Sequence, residues 1–164
     1  MPKSKISVIY LDMDGVIANF SKKYHEMFGV MPDSLSKKPK EFGKNFDQFI
    51  AQQGFMHLEL MPGAQTLIDF LRKAPVPTEI LSSTASEARH DAISKQKLIW
   101  LQTHGITFKP NLVPGKKYKK DYAKPDALLI DDTESIIEDF RKAGGHAIWH
   151  KDIPTTMAML RMYV

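Results

Sequence analysis

The sequence predicts an α/β fold: a Rossmann-like, doubly wound parallel sheet with a small helical segment inserted after its first strand. Three observations predict it. From residue 62 to the end, short apolar runs alternate with stretches of helical periodicity, the pattern of parallel strands joined by helices. Three runs end in polar residues: Asp12 and Asp14, Ser82 and Ser83, Asp131 and Asp132. Between residues 20 and 61 no strand is evident, and aromatic residues recur at helical spacing. Residues 1–19 and 62–164 are therefore read as one core domain and residues 20–61 as a helical cap inserted into it. A chain of 164 residues is long enough for one such domain with a sizeable core.

Residues 6–11 form a β-branched apolar run that reads as a buried strand, and Gly15 permits the tight turn after it. Phe20, Tyr24, Met27 and Phe28 predict an amphipathic helix ending at Gly29. Residues 30–39 hold two prolines and read as a loop. Phe42, Phe46, Phe49 and Ile50 predict a second helix that ends near Gly54. Pro62 and Gly63 return the chain to the body, and Leu67, Ile68 and Leu71 mark a helix stopped by Pro75 and Pro77. Residues 78–81 predict a strand leading into Ser82, Ser83 and Thr84. Residues 85–104 predict a long helix with Ala88, Ala92, Ile93, Leu98, Trp100 and Leu101 at helical intervals, closed by Gly105. Residues 106–108 and 112–113 are short strand candidates, and 116–124 is a basic loop or helical turn. Residues 127–130 predict a strand, Thr133 an N-cap, and Ile136, Ile137 and Phe140 a helix stopped by Gly144 and Gly145. A strand at 146–149 and a helix at 154–162 complete the chain.

Composition narrows the chemistry. Hydrophobic residues at 43% and charged residues at 26% are ordinary for a soluble globular protein. With no cysteine, disulfides, cysteine-ligated zinc and a cysteine nucleophile are excluded, and a cytoplasmic location is expected. The basic start at residues 1–5 runs into an apolar stretch too short for a signal peptide or a membrane span. A net charge of +4 fits an anionic substrate or a nucleic acid. There is no His-Glu-x-x-His, no Gly-x-Ser-x-Gly and no Walker A pattern. The six histidines are scattered, and only His57 lies near the return from the insertion.

The polar strand ends carry the functional signal. In an open parallel sheet, ligands bind beyond the carboxyl ends of the strands, so Asp12, Asp14, Ser82, Asp131 and Asp132 are expected on one edge. Two acidic pairs meeting there repel unless a proton or a cation lies between them. A hard divalent cation such as Mg²⁺ resolves the repulsion while keeping waters and binding phosphate oxygens.

The run Asp12-Met13-Asp14-Gly15-Val16 after a hydrophobic strand resembles the first motif of the haloacid dehalogenase-like phosphohydrolase superfamily. Leu128-Leu129-Ile130-Asp131-Asp132 resembles its fourth. The resemblance implies a Mg²⁺-dependent phosphatase with Asp12 as nucleophile and Asp14 as general acid and base. It implies that the metal is held by Asp132, by Asp131 directly or through water, by a carboxylate oxygen of Asp12 and by the backbone carbonyl of Asp14. Ser82, assisted by Ser83, matches the second motif, whose hydroxyl binds a phosphate oxygen. The third motif is a lysine, drawn from Lys116, Lys117, Lys119, Lys120 and Lys124; Lys120 fits the spacing best and Lys119 next.

Within the superfamily, the 5′(3′)-deoxyribonucleotidases are the nearest resemblance. It is carried by the opening motif through Phe20, by Phe55-Met56-His57-Leu58-Glu59-Leu60-Met61-Pro62-Gly63-Ala64 at the return of the insertion, and by the closing acidic pair. It implies a nucleoside monophosphate substrate, with Gly15 in the phosphate loop and Phe20 and Phe55 lining a base or sugar pocket. Three departures bear on the nucleotide: Met56 replaces an aromatic, Ser82-Ser83-Thr84 lacks a proline, and Thr133 stands for an arginine. The alternatives are a phosphatase for another small phosphoester or for a nucleic-acid 3′-phosphate end, and a non-catalytic Mg²⁺- and phosphate-binding protein.

Overall fold

The computed structural model describes residues 5–164; residues 1–4 of the basic start lie outside the described residues. Five strands form one parallel sheet: β1 (Val8–Leu11), β2 (Thr78–Ser83), β3 (Lys109–Val113), β4 (Ala127–Asp131) and β5 (His146–Trp149). Their order is β3-β2-β1-β4-β5, so β1 is central and the connections run outward on both sides of it. The expected doubly wound parallel sheet is present.

Alternation along the strands separates two apolar faces. Ile9, Leu11, Ile80, Leu128 and Ile130 pack beneath helices α3 (Ala64–Lys73), α4 (His90–Thr103) and α6 (Ile153–Leu160). Val8, Tyr10, Leu81 and Leu129 pack against α5 (Glu134–Lys142) and the 3₁₀ turns of Lys116–Tyr122. Strands β1 and β4 are buried throughout, which explains their unbroken apolar sequence.

Between β1 and α3 lie helices α1 (Phe20–Phe28) and α2 (Pro39–Ala51), with 3₁₀ turns at Pro32–Leu35 and Gly54–His57. Their aromatic stripes meet: Tyr24 and Phe49 are fully buried, and Tyr24 stacks on Phe42 with ring centroids 5.7 Å apart. The chain enters and leaves this segment side by side. Asn19 N–H donates to Glu59 O and Met61 N–H to Ile17 O, each at 2.8 Å, and Ala18 bridges Leu60 in antiparallel fashion. This pairing is strand-like structure that the aromatic periodicity of the segment concealed.

Several boundaries differ from expectation. The long helix begins at His90, not at residue 85, because Ala85 takes a left-handed conformation (φ +73°) and residues 84–89 form a turn. Residues 106–108 form no strand. Gly105 turns left-handed, and the Ile106 N–H is used on Leu101 O to close α4, so β3 begins at Lys109. Proline 39 opens α2 rather than ending a loop, which suits the first turn of a helix. Thr133 occupies the N-cap position of α5, but its hydroxyl does not cap; it lies 3.4 Å from the Asp132 carboxylate.

Candidate active site

The register of the central strands assembles the acidic cluster. Leu11 pairs with Ile130, and the Asp12 N–H donates to Ile130 O at 3.0 Å, so Asp12 and Asp131 leave the sheet side by side. Asp12 is 6% exposed and Asp131 fully buried, while Asp132 stands open at the cleft. Carboxylate oxygens of Asp12, Asp131 and Asp132 all lie within 4.8 Å of one another. The acidic strand ends thus converge as the sequence reading requires.

Lys119 sits between two of these acids. Its Nζ donates to Asp12 Oδ1 at 3.0 Å and to Asp131 Oδ2 at 2.7 Å, with 2% of the residue exposed. Burial pulls its ammonium down, but the two carboxylates overcome this and hold it above the usual lysine range. Lys120, the residue favoured by spacing, is exposed and does not reach the acids. In 3₁₀ geometry side chains three apart share a face, so Lys119 aligns with Tyr122, whose ring packs on Tyr10, and Lys120 is turned outward. Lys116 lines the mouth of the cleft; Lys117 and Lys124 are exposed and do not line it.

Charge crowding shifts the acids. Burial, then the neighbouring Asp131, raise Asp12 against the opposing pull of Lys119 and Lys97. The cleft walls, then Asp12 and Asp131, push Asp132 up to about 7 although its surface meets solvent. Two of the three clustered carboxylates share the single ammonium of Lys119, so the cluster is short of positive charge. The hard oxygen donors and their spacing fit a divalent cation of the Mg²⁺ type.

Asp14 belongs to a second group. Its Oδ2 accepts from Lys97 Nζ at 3.0 Å, and its Oδ1 is buried with no partner. Its carboxylate is therefore turned away from the trio. Lys97 is 1% exposed and donates also to Ser82 Oγ at 2.6 Å and Ser83 O at 2.9 Å. The sequence reading missed Lys97. A signal existed: Ile93, Gln96, Lys97, Trp100 and Leu101 are the buried stripe of α4, and a lysine within such a stripe requires an acidic partner.

The remaining expected residues divide. Ser82 lies beneath Lys97 and is 1% exposed, whereas Ser83 lines the cleft and its Oγ accepts from Ala85 N–H at 3.1 Å. Gly15 (φ +85°) lets the loop pass against Asp132: a Cβ there would fall 1.9 Å from Asp132 Oδ2. Phe20 and Phe55 stack at 5.6 Å with their planes 13° apart and line the cleft together. Phe55 is only 3% exposed, so Phe20 presents the broader apolar surface. His57 does not line the cleft. The whole depression encloses about 620 Å³, with carboxylates on its floor and Phe20, Phe42 and Phe46 on its wall.

Residues 6–152 match the protein family described as 5′ nucleotidase, deoxy (pyrimidine), cytosolic type C. Solved structures are similar over nearly the full length. A hydrolase from Streptococcus pneumoniae TIGR4 aligns at 13% identity with a TM-score of 0.58, over 96% of this chain and 99% of that one. A HAD-superfamily hydrolase from Ehrlichia chaffeensis gives 13% identity and 0.57, over 99% of each chain. A HAD family enzyme from Bacteroides thetaiotaomicron, solved with magnesium and inorganic phosphate, gives 14% and 0.51, over 89% of this chain and 94% of that one. At these identities the likeness is one of fold. No curated protein matches the chain at a significant level.

Proposed function

The chain belongs to the deoxy (pyrimidine) 5′ nucleotidase family of cytosolic type C, and from that premise we propose that it hydrolyses a nucleoside monophosphate through a phosphoaspartate at Asp12. One observation carries the reading. Asp12 lies on the cleft floor beside Asp131, Asp132 and Lys119, beneath a wall of aromatic rings. Residues 20–61 are read as the cap that chooses the substrate. A cytosolic location, as in the family's description, is carried over with the same reading. Among the described residues, no helix is long and apolar enough to cross a membrane.

Asp12, Asp131 and Asp132 would hold Mg²⁺, with the Asp14 backbone carbonyl as a further ligand. When bound, the ion supplies positive charge that offsets the charge of the transferring phosphoryl group. The chain's own residues do the rest. Lys119 fixes Asp12 Oδ1, which leaves the other carboxylate oxygen to attack phosphorus in line. The bond to the leaving oxygen breaks as the new one forms, and Asp14 delivers a proton to that oxygen. Asp14 then takes a proton from water, the water oxygen bonds to phosphorus, and the Asp12 carboxylate is released with inorganic phosphate. Lys97 orients Asp14, and Ser83 with the adjoining loop amides faces the phosphate oxygens. Phe20 offers the base or sugar a face on which stacking contributes about 1–3 kcal/mol.

The test is hydrolysis of p-nitrophenyl phosphate with and without Mg²⁺, followed by a panel of 5′- and 3′-nucleotides and 3′-phosphorylated oligonucleotides. The expected result is Mg²⁺-dependent release of phosphate with nucleoside monophosphates preferred. Preference for oligonucleotide ends would replace the substrate assignment, and no turnover of any phosphoester would remove the enzymatic reading.

A further inference from the structure

Helix α4 carries two polar side chains next to each other in its buried stripe, and they hold different parts of the molecule. Lys97 uses three donors on three acceptors: Asp14 Oδ2, Ser82 Oγ and Ser83 O. Gln96, 3% exposed, holds the segment that returns from α2. Its Oε1 accepts from Phe55 N–H at 3.1 Å, and its Nε2 donates to Ile50 O at 2.9 Å. One turn further, Trp100 Nε1 donates to Leu58 O at 2.8 Å.

A buried amide costs free energy unless its groups are bonded, and an apolar side chain of similar size would avoid that cost. Both ends of the Gln96 amide are spent on backbone more than forty residues away, on either side of the Gln52–Gln53 turn. What these bonds supply is placement. The Phe55 ring they fix lies with its centroid 5.3 Å from Lys97 Nζ, covering an ammonium already committed to three acceptors.

We propose that Gln96 is a positioning residue that links the substrate wall at Phe55 to the orientation of Asp14 through Lys97. The proposal rests on the phosphatase reading of the same cleft. If Phe55 shifts, the cover over Lys97 opens and the Lys97–Asp14 pair loses its fixed geometry. Proton delivery to the leaving oxygen then suffers more than binding does.

The experiment compares Gln96→Met, which keeps the side-chain length without the bonds, with Trp100→Phe, which removes a bond from the same helix to the same segment. Each is measured on a nucleoside monophosphate, whose leaving alkoxide needs a proton, and on p-nitrophenyl phosphate, whose leaving group needs none. General acid catalysis contributes about 10²–10⁴ in rate, so partial misplacement in Gln96→Met is expected to lower kcat on the nucleotide about tenfold. The p-nitrophenyl phosphate rate and the nucleotide KM should stay within about twofold, and the nucleotide kcat–pH profile should shift. Trp100→Phe should affect both substrates equally. Hydrogen exchange supplies a readout independent of turnover: Gln96→Met should lose protection at residues 54–58 and also at 13–18, and Trp100→Phe only at 54–58. Equal kinetic losses on both substrates, or lost protection confined to 54–58 in Gln96→Met, would overturn the proposal. If Gln96→Met does not fold, Phe55→Leu reads the same link from its other end by hydrogen exchange alone: lost protection at 13–18 supports it, and unchanged protection there overturns it. A wild-type chain without phosphatase activity would sink the functional reading, while the exchange data would still decide the link.

Discussion

Lys119→Met removes one ammonium and leaves the shape of the side chain. It strips Asp12 of its 3.0 Å bond and Asp131 of its 2.7 Å bond, and leaves two carboxylates buried at 6% and 0% exposure without that partner. Breaking a buried pair in this way costs about 3–5 kcal/mol, mostly from the stranded charge. A chain of this size loses about 2–4 °C of Tm per kcal/mol, so a fall of about 10 °C is expected in metal-free buffer near pH 8. The pH dependence has a definite sign. The folded-state value of Lys119 is raised, so its contribution is complete below the ordinary lysine range and is lost only at more alkaline pH. Asp12 and Asp132 have raised values, so they take up protons as the pH falls and the repulsion Lys119 relieves diminishes. The deficit of the variant should therefore shrink from about pH 8 towards about pH 5. The assay is thermal unfolding with chelator and with Mg²⁺, alongside Lys120→Met as the exposed control. Equal melting of the two variants, or a deficit that grows on acidification, would refute the reasoning.

Three further outcomes are expected. Asp132, raised from its ordinary value of 3.8 to about 7, favours the metal-free fold at low pH and loses that contribution as the pH rises through about 7. Asp132→Asn should therefore raise Tm near pH 8 in chelator and change it little near pH 4, while Mg²⁺ titration shows a large loss of affinity. Gly15→Ala places a methyl group 1.9 Å from Asp132 Oδ2 at a left-handed position, which itself costs about 1–2 kcal/mol. Calorimetry should show at least about tenfold weaker Mg²⁺ binding, since that carboxylate has to move. Phe20→Ala should raise the KM for nucleotides by about 5- to 100-fold from lost stacking, with little change for p-nitrophenyl phosphate.

Much of this site is legible in the residues themselves. Asp12, Asp14, Asp131 and Asp132 are legible together because capping or helix-terminus charge accounts for one acidic pair after an apolar run, but not for two pairs brought to one sheet edge. The lysine was harder. Counting residues back from Asp131 treats the intervening chain as uniform, whereas three residues per turn at Lys116–Tyr122 bury Lys119 and expose Lys120. Lys97 and Gln96 are hidden in the sequence because polar residues on a helix ordinarily face solvent, whereas these two share the buried stripe of α4. Ser82 and Ser83 could not be assigned from sequence, since adjacent strand residues face opposite sides and only the register decides which reaches the cleft. The aromatic wall was visible as helical spacing, but its two functions, packing and substrate contact, are shared by the same rings. The start of α4 was misplaced because nothing in the residue type of Ala85 signals a positive φ.

Phosphoryl transfer to Asp12 is the step on which the proposed function rests. It is tested most directly by quenching the enzyme during turnover of a nucleoside monophosphate with Mg²⁺ and reducing it with borohydride, which converts an aspartyl phosphate to homoserine. Peptide sequencing by mass spectrometry should find homoserine at position 12, only when substrate is present, and never in Asp12→Asn. Sustained turnover by Asp12→Asn, or turnover by the native chain with position 12 unmodified and another residue reduced, would contradict the account.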